Sequence, residues 1–410
     1  MISRIGYLRS FDRRIWVLFS GRIIGVTGFS IVVPFLSIYL NQQLGVPMTM
    51  VGLIFLFSSG AGAVGQILGG ELADRVGRKK VMIFSMASRS VVFALISVVM
   101  MNHGDYAVIG LLIVGSNFFG SFFEPASSAM VADLVEPSKR LEAYGLLRIG
   151  ANIGWTLGPL LGGLLAIISY SSLFLLTAFC TASVAFIVIL LVSDSMSSTK
   201  TERFNVRDLL AVRKDTVFAA FCLISVLLSL VTAQMSSVYS VFSEKVVGVQ
   251  VYEVGYLYAI NGIMVVFLQF PVARWVSRFR MTNAISMGAF LYAIGYFLVA
   301  FTNDFFTLAF CMVVISMGEI VVSPALSNLV ANMSPENMRG RYMGVYGLFS
   351  QFGWSMGPLA GGVLMDAFVG TPIILWGGIA SFAIAASIGY LALRSRMKES
   401  IDRVQSAQRS

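Results

Sequence analysis

Long apolar stretches separated by short polar segments run along the whole chain. Each stretch is about as long as the roughly 20 residues that a helix needs to cross the hydrocarbon core of a bilayer. The pattern predicts twelve membrane spans, near residues 15–40, 50–73, 79–101, 106–131, 143–166, 171–193, 216–242, 252–275, 282–301, 305–331, 342–365 and 371–393. The fold class that follows is an all-α membrane protein.

One polar segment between the predicted spans is longer than the others. It covers residues 194–215, is rich in serine and basic residues, and reads as a cytoplasmic linker. The linker predicts two six-helix bundles, at 1–193 and at 216–410, the second ending in a short cytoplasmic tail. The first apolar stretch is too long for a signal peptide and lacks a small-residue cleavage site, so we expect it to stay as the first span.

Composition supports the membrane assignment. The chain is 57% hydrophobic and only 12% charged, whereas soluble domains carry about 25% charged residues. A chain of this kind cannot cover its apolar surface by folding on itself, so it needs lipid. The three cysteines are odd in number and lie in apolar runs, which argues against a disulfide framework.

The net charge of +9 follows from topology. Basic residues concentrate on alternate loops: Arg4, Arg9, Arg13, Arg14, Arg75, Arg78, Lys79, Lys80, Lys139, Arg140, Lys200, Arg203, Arg207, Arg213, Lys214, Arg274, Arg278, Arg280, Arg339, Arg341, Arg394, Arg396 and Lys398. The opposite loops contain only Lys245 and the neutral His103. Because cytoplasmic loops are enriched in lysine and arginine, both termini are predicted to be cytoplasmic. Charge scattered over short loops also argues against a nucleic-acid partner.

The two halves of the chain repeat one another. Residues 158–163 read Gly-Pro-Leu-Leu-Gly-Gly, and residues 357–362, which lie 199 positions later (158 to 357), read Gly-Pro-Leu-Ala-Gly-Gly. The same shift pairs Pro125 with Pro324, Arg140 with Arg339, Gly145 with Gly344, Gly154 with Gly353, and Trp155 with Trp354. Membrane proteins built from repeats place a substrate path near the bilayer midplane between them, and one repeat rocks against the other.

Two motifs connect this repeat to a known family. The loop after span two carries Gly70, Asp74, Arg75, Gly77 and Arg78, and span five carries Gly145, Gly154, Gly158, Pro159, Gly162 and Gly163. The loop resembles the cytoplasmic signature of the major facilitator superfamily, and the span-five pattern resembles that of its twelve-helix drug/proton antiporter branch. The resemblance covers essentially the whole chain.

The resemblance implies a secondary active transporter of the inner membrane that exports amphipathic small molecules by alternating access. It implies the proton as coupling ion, no other cofactor, a small-molecule substrate, the lipid bilayer as surroundings and a monomeric state. One family feature is missing, because the arginine expected four residues before Gly120 is Ser116 here. Arg22 is a candidate for the missing cation.

The span-five glycines predict a packing seam. Glycines spaced by four lie on one helix face and let two backbones approach closely, and Pro159 bends the helix. We expect all five glycines to belong to the seam. A further hypothesis, that the bend at Pro159 seals one face of the transporter and prevents leakage across the membrane, stays open.

The loop after span two predicts a charged cluster. Gly70 and Gly77 are expected to allow a tight turn, and Arg78 to reach Asp133 at the end of span four. The family resemblance suggests that Asp74, Arg78 and Asp133 form a latch that holds the outward-facing state. Solvated loop charges are the alternative, and we prefer it for Lys79 and Lys80. The corresponding segment 273–278 lacks the acid and the glycine, so any latch should be asymmetric.

Five charges lie inside predicted spans: Arg22, Arg89, Glu124, Arg148 and Glu319. Each costs roughly 2.5–3.5 kcal/mol on insertion scales, so each needs a reason. Arg22 and Glu124 lie at similar depths and are predicted to face each other, either as a static bridge or as a pair through which Glu124 exchanges a proton. Glu319 is the second proton-coupling candidate, or a contact for a cationic substrate.

The remaining polar residues give weaker predictions. Arg148 and Asn152 are expected to line the cavity or to form an interhelical hydrogen-bonded pair, and Arg89 to be a packing partner. The predicted substrate cavity comprises Asn117, Asn152, Gln234, Tyr239, Asn261, Asn328 and Gln351. Abundant methionine (21) and phenylalanine (32) suit ligands of varied shape.

Two other function classes stay open. One is a facilitator, importer or exporter of a specific sugar or metabolite. The other is a membrane-embedded scaffold or enzyme, against which the lone histidine and the lack of a metal-ligand cluster argue. The chain is therefore not expected to be an enzyme.

Overall fold

The computed structural model describes residues 11–102, 104–136, 139–194, 215–335 and 338–403. Several expectations fall outside these ranges: His103, the linker apart from its two end residues, and the basic residues Arg4, Arg9, Lys200, Arg203, Arg207, Arg213 and Lys214. Within the described ranges the chain forms helices and no strands.

The helices, numbered by membrane span, have these bounds: α1 Arg13–Ile38, α2 Met48–Val76, α3 Arg78–Met101, α4a Tyr106–Gly120, α4b Phe123–Leu134, α5 Arg140–Ala166, α6 Tyr170–Leu191, α7a Thr216–Thr232, α7b Val238–Phe242, α8 Val251–Val276, α9 Met281–Val299, α10 Phe305–Met333, α11 Arg339–Phe368 and α12 Pro372–Arg394. Eleven of the spans are long and apolar enough to cross a membrane. The other, α11, has 30 residues and so has the length as well. The predicted all-α membrane fold with twelve spans is confirmed.

Contacts divide the chain into two compact units. Unit 1 comprises Met1–Val46, Ile54–Lys200 and Val251–Ala259, and unit 2 comprises Pro47–Leu53, Thr201–Gln250 and Ile260–Ser410. The first turn of α2 therefore belongs to unit 2, whereas the rest of α2 belongs to unit 1. The reverse holds for α8, whose first turns belong to unit 1 and whose remainder belongs to unit 2. The sequence pattern did not predict this exchange.

The fourth span is broken, which the apolar pattern did not show. α4a ends at Gly120 and α4b begins at Phe123, with Ser121 and Phe122 in a tighter turn between them. Pro125 lies in the first turn after the break, and it has no N–H to donate to the carbonyl group of Ser121 one turn earlier. The break places Glu124 in the first turn of α4b, where the helix dipole favours an acid.

The seventh span is broken as well. A 3₁₀ turn, Ala233–Ser236, follows α7a, and Ser237 has non-helical dihedral angles (φ −130°, ψ −88°) before α7b begins. Gln234 lies in this turn and donates from Nε2 to the carbonyl groups of Leu230 (2.9 Å) and Gly357 (2.8 Å). The amide thus ties the irregular turn to α11.

The predicted packing seam forms along α5 for most of its glycines. Gly154, Gly158 and Gly162 lie against the backbone of α1, and Gly163 lies against Gly255 in the first turn of α8. The repeated glycines on α11 pack in the same way. Gly353, Gly357 and Gly361 lie against the seventh span, and Gly362 lies against Met48.

One seam prediction is wrong. Gly145 has nothing within 4 Å of the position that a Cβ atom would take, and its counterpart Gly344 is equally open. The spacing from Gly145 to Gly154 is nine residues, which turns the two away from a common helix face. Gly150, which the motif does not include, lies in the seam against Phe19.

Candidate functional site: ionisable and polar groups within the helices

Arg22 and Glu124 form an ion pair, as their depths in the sequence predicted. Arg22 on α1 donates from Nη1 to Glu124 Oε2 at the start of α4b. The side chains are 30% and 47% exposed, so the pair is not sealed inside the helix packing. The two groups can therefore separate without disturbing that packing.

Glu319 lies in the middle of α10 and is held by a neutral donor. Asn261 on α8 donates from Nδ2 to Glu319 Oε2 (2.8 Å) and also to Ser316 Oγ (3.0 Å). Among the described residues, Glu319 forms no ion pair. The sequence separated Glu319 and Asn261 into different predictions, and the structure brings them together. The arrangement lets the carboxyl group be held without a cation.

Arg148 and Asn152 follow one another by one turn on α5, and both are exposed. No hydrogen bond joins them in the part of the chain that the structure describes. Thr156 Oγ1 instead donates to the carbonyl group of Asn152 (2.9 Å). Asn328 and Gln351 are also exposed, on α10 and α11. These four residues keep polar atoms available within membrane-length helices.

Three residues that were predicted to line the cavity serve helix packing. Gln234 and Tyr239 are fully buried, and the Tyr239 hydroxyl group donates to the carbonyl group of Leu308 (3.0 Å). Asn117 is half-buried and donates to the Ser58 hydroxyl group. Burial places Gln234 and Tyr239 out of reach of a ligand in this structure, because tertiary packing rather than polarity decides which face a side chain occupies.

Arg89 is a packing partner, as expected. Its guanidinium lies over the Phe29 ring (4.7 Å to the centroid) and the Phe93 ring (5.4 Å), a cation–π arrangement. The same side chain lies against Gly120, at the end of α4a. A cation at the C-terminal end of a helix is favoured by the helix dipole. Arg89 therefore stabilises the end of α4a, just before the break in span four.

The loop after α2 forms the predicted charged cluster. Arg78 is 3% exposed, and its guanidinium pairs with Asp74 Oδ1 (3.2 Å) and Asp133 Oδ2 (3.1 Å). Arg75 instead pairs with Glu71, four residues earlier, at the surface. The contacts predicted among Asp74, Arg78 and Asp133 are confirmed.

Two details of this loop differ from the prediction. Gly70 lies inside α2 and makes no turn, whereas Gly77 alone turns the chain, with φ at +107°. Lys79 is not a free surface charge, because its Nζ donates to the carbonyl group of Ile189 at the end of α6 (2.8 Å). The side chain of Asp194 lies against Gly77, so a larger residue there would collide with it.

Comparison with known proteins agrees with this architecture. The family model described as Major Facilitator Superfamily matches residues 18–358 and 245–408. The multidrug resistance protein MdtH of Klebsiella pneumoniae (strain 342) is 28% identical over 92% of each chain. A Na(+), Li(+), K(+)/H(+) antiporter of Planococcus maritimus is 24% identical over 94% of this chain and 96% of the relative.

Solved structures resemble it as well. The crystal structure of the nucleoside transporter NupG superposes with a TM-score of 0.78 over 94% of this chain and 100% of that one, at 14% identity, which is a likeness of fold alone. Family members are multi-pass membrane transporters, not enzymes, and they need no cofactor. The chain therefore belongs to the major facilitator superfamily.

Proposed function

We propose that this protein exports amphipathic small molecules from the cell in exchange for protons, by alternating access. The observation that carries the proposal is the partly exposed ion pair between Arg22 and Glu124 inside membrane spans. Ionisable groups in such positions are costly and mark ion or proton pathways in transporters. The MdtH relative, named for multidrug resistance, supports export as the direction.

In the proposed cycle Glu124 carries the proton. While Arg22 contacts it, the carboxylate is compensated and stays ionised. When rocking opens the contact, an uncompensated charge within the membrane becomes costly, so the carboxyl group takes up a proton. The transporter would then bind substrate and proton in alternation, one with Glu124 in contact with Arg22 and the other with the two side chains apart.

Glu319 would be the second coupling group or the contact for a cationic substrate. Asn261 holds it with a neutral hydrogen bond, and no ion pair among the described residues fixes its charge. Arg148, Asn152, Asn328 and Gln351 would supply further polar contacts along the route. In this proposal the protein is a monomer of the inner membrane with both termini in the cytoplasm.

The experiment is transport of a fluorescent amphipathic dye in proteoliposomes with an imposed pH gradient. Glu124→Gln should abolish proton-driven transport and keep dye exchange, because the amide retains the shape but cannot cycle a proton. Glu319→Gln should reduce proton-driven transport. Glu71→Gln is the matched control, since it removes a surface ion pair with Arg75 and should change nothing. Undiminished proton-driven transport by Glu124→Gln would remove that residue from the mechanism.

Exchange of monovalent cations for protons is the second candidate, favoured by the Planococcus maritimus relative. The same vesicles test it without a dye. Sodium or potassium gradients should then move protons across the membrane, and a pH-sensitive probe inside the vesicles would report this movement. A pH change that needs the dye and is indifferent to these ions would favour export of organic molecules.

A further inference from the structure

Among its described residues, the second unit has no counterpart of the ion pair between Arg78 and Asp133, and other contacts occupy the corresponding place. In the first unit Arg78 binds Asp133 at the end of α4b. The 199-residue repeat puts Asn332 where Asp133 stands (133 to 332), and an amide cannot neutralise an arginine. Arg278, which a shift of 200 residues pairs with Arg78 (78 to 278), is exposed. The corresponding end of unit 2 must be held together by other residues.

Those residues come from the end of the chain. Asp402 is fully buried and accepts hydrogen bonds from the Thr282 backbone N–H (2.8 Å), the Thr282 hydroxyl group (2.6 Å) and Arg280 Nε (2.7 Å). The Met281 N–H donates to the Asp402 carbonyl group (2.7 Å). Arg280, the residue before α9, makes no side-chain cap of its own. Asp402 therefore caps α9 from a distant part of the sequence.

The neighbouring residues fasten the same segment to two further helices. Arg280 Nη2 donates to the carbonyl group of Met397 (3.2 Å), just after α12. Asn332 Nδ2, at the end of α10, donates to the carbonyl groups of Ile401 (3.0 Å) and Arg403 (2.9 Å). Residues 395–403, here named the C-terminal brace, thus join the ends of α9, α10 and α12.

We infer that the C-terminal brace is a permanent fastening of unit 2, which stays closed during transport. The contrast in burial carries the inference. Asp402 is 0% exposed and its oxygens are occupied by three donors, whereas the Asp74 side chain is 55% exposed. Releasing Asp402 would strand a buried carboxylate without the donors that compensate it. Asp74 can leave Arg78 and return to water.

The first unit contains a looser version of the same contact. Asp194, which follows α6, approaches the Lys79 N–H at the start of α3 at 3.4 Å. In both units an acid that follows the last helix thus reaches the first turn of the third helix. The shorter, fully buried contact is the one in unit 2, which agrees with a fixed role there.

Hydrogen exchange tests the closed brace without any substrate. In the intact protein the amides of Met281 and Thr282 should exchange slowly, and Asp402→Asn should speed their exchange at least tenfold. Glu399→Gln is the matched control, because it breaks an exposed ion pair with Arg403 in the same segment (2.7 Å) and should leave both amides protected. Equal exchange in Asp402→Asn and the intact protein would overturn the inference.

A disulfide tests whether the brace stays closed during transport, and this part rests on the proposed function. Thr282→Cys and Asp402→Cys are introduced together after Cys180, Cys222 and Cys311 have been replaced by alanine. The disulfide should form on oxidation, and dye transport should stay within twofold of the reduced protein.

Failure of the disulfide to form, or transport that is lost on oxidation and regained on reduction, would overturn the permanent brace. Absence of proton-driven transport in the intact protein would instead count against the proposed function, while the exchange result would stand by itself.

Discussion

Replacement of Gly158 by alanine tests a close contact between α1 and α5 in the first unit. A Cβ atom at this position would lie 2.8 Å from the Thr27 carbonyl oxygen and 2.9 Å from the Ile31 backbone nitrogen, both on α1. Real Cβ atoms essentially never approach so closely, and backbone atoms cannot rotate away as a flexible side chain can. Alanine must therefore push α1 and α5 apart.

The expected loss follows from two opposing terms. Overpacking a tight contact costs about 1–3 kcal/mol, and the rigid backbone neighbours put Gly158 at the upper end of that range. Alanine recovers about 1 kcal/mol as the better helix former. The net loss is about 2 kcal/mol, which corresponds to a fall in melting temperature of about 4–8 °C for a cooperative unit of about 200 residues.

The assay is thermal unfolding of the purified protein, followed by tryptophan fluorescence in one detergent. Gly145→Ala is the control on the same helix, because that position is open and alanine should be neutral or slightly stabilising. The repeat provides a second test, with Gly357→Ala destabilising and Gly344→Ala neutral. If Gly158→Ala and Gly145→Ala have the same melting temperature, the close approach of α1 and α5 does not constrain this helix, and the reasoning is refuted.

Two further predictions concern residues near the helix ends. Arg78→Gln should lower the free energy of unfolding, measured with a chemical denaturant, by about 3 kcal/mol, because it removes the guanidinium that pairs with the 11% exposed Asp133. In the same assay Lys79→Gln, which loses one hydrogen bond, should cost about 1 kcal/mol. The backbone N–H of Thr307 lowers the pKa of Asp304 below its ordinary value of 3.8, so this carboxylate stabilises the protein above that value and the stabilisation is lost as pH falls through the lower folded-state pKa. At pH 7 the melting temperature of Asp304→Ala should therefore be lower than that of the intact protein, and the difference should shrink as the pH is lowered through the folded-state pKa. A difference that does not change with pH would contradict the assignment.

Several features of the site could be predicted from the sequence. The length of apolar runs predicted the spans, because a bilayer offers no water to an exposed backbone and only a full-length helix satisfies its own hydrogen bonds. Equal depth predicted the contact of Arg22 with Glu124, since two costly charges in neighbouring helices stabilise each other. The loop motif likewise predicted that Arg78 would meet Asp133.

Other features were decided by tertiary structure alone. Gln234 has the same amide group as the exposed Asn328 and Gln351, yet it is buried in helix contacts. Asn261 meets Glu319 although 58 residues separate them (261 to 319). Nothing in the local sequence of the C-terminal segment indicates that Asp402 caps α9.

The sequence by itself determined how many helices cross the membrane, that the halves repeat, and where charge must be compensated, because the energy of placing a residue in lipid depends mainly on its own chemistry. The tertiary structure decided which face of each helix packs, where spans four and seven break, and which acid holds which helix end. In a membrane helix the lipid-facing and packed faces are both apolar, so hydrophobic periodicity does not separate them. Only the contacts between helices in the tertiary structure distinguish the packed face from the lipid-facing one.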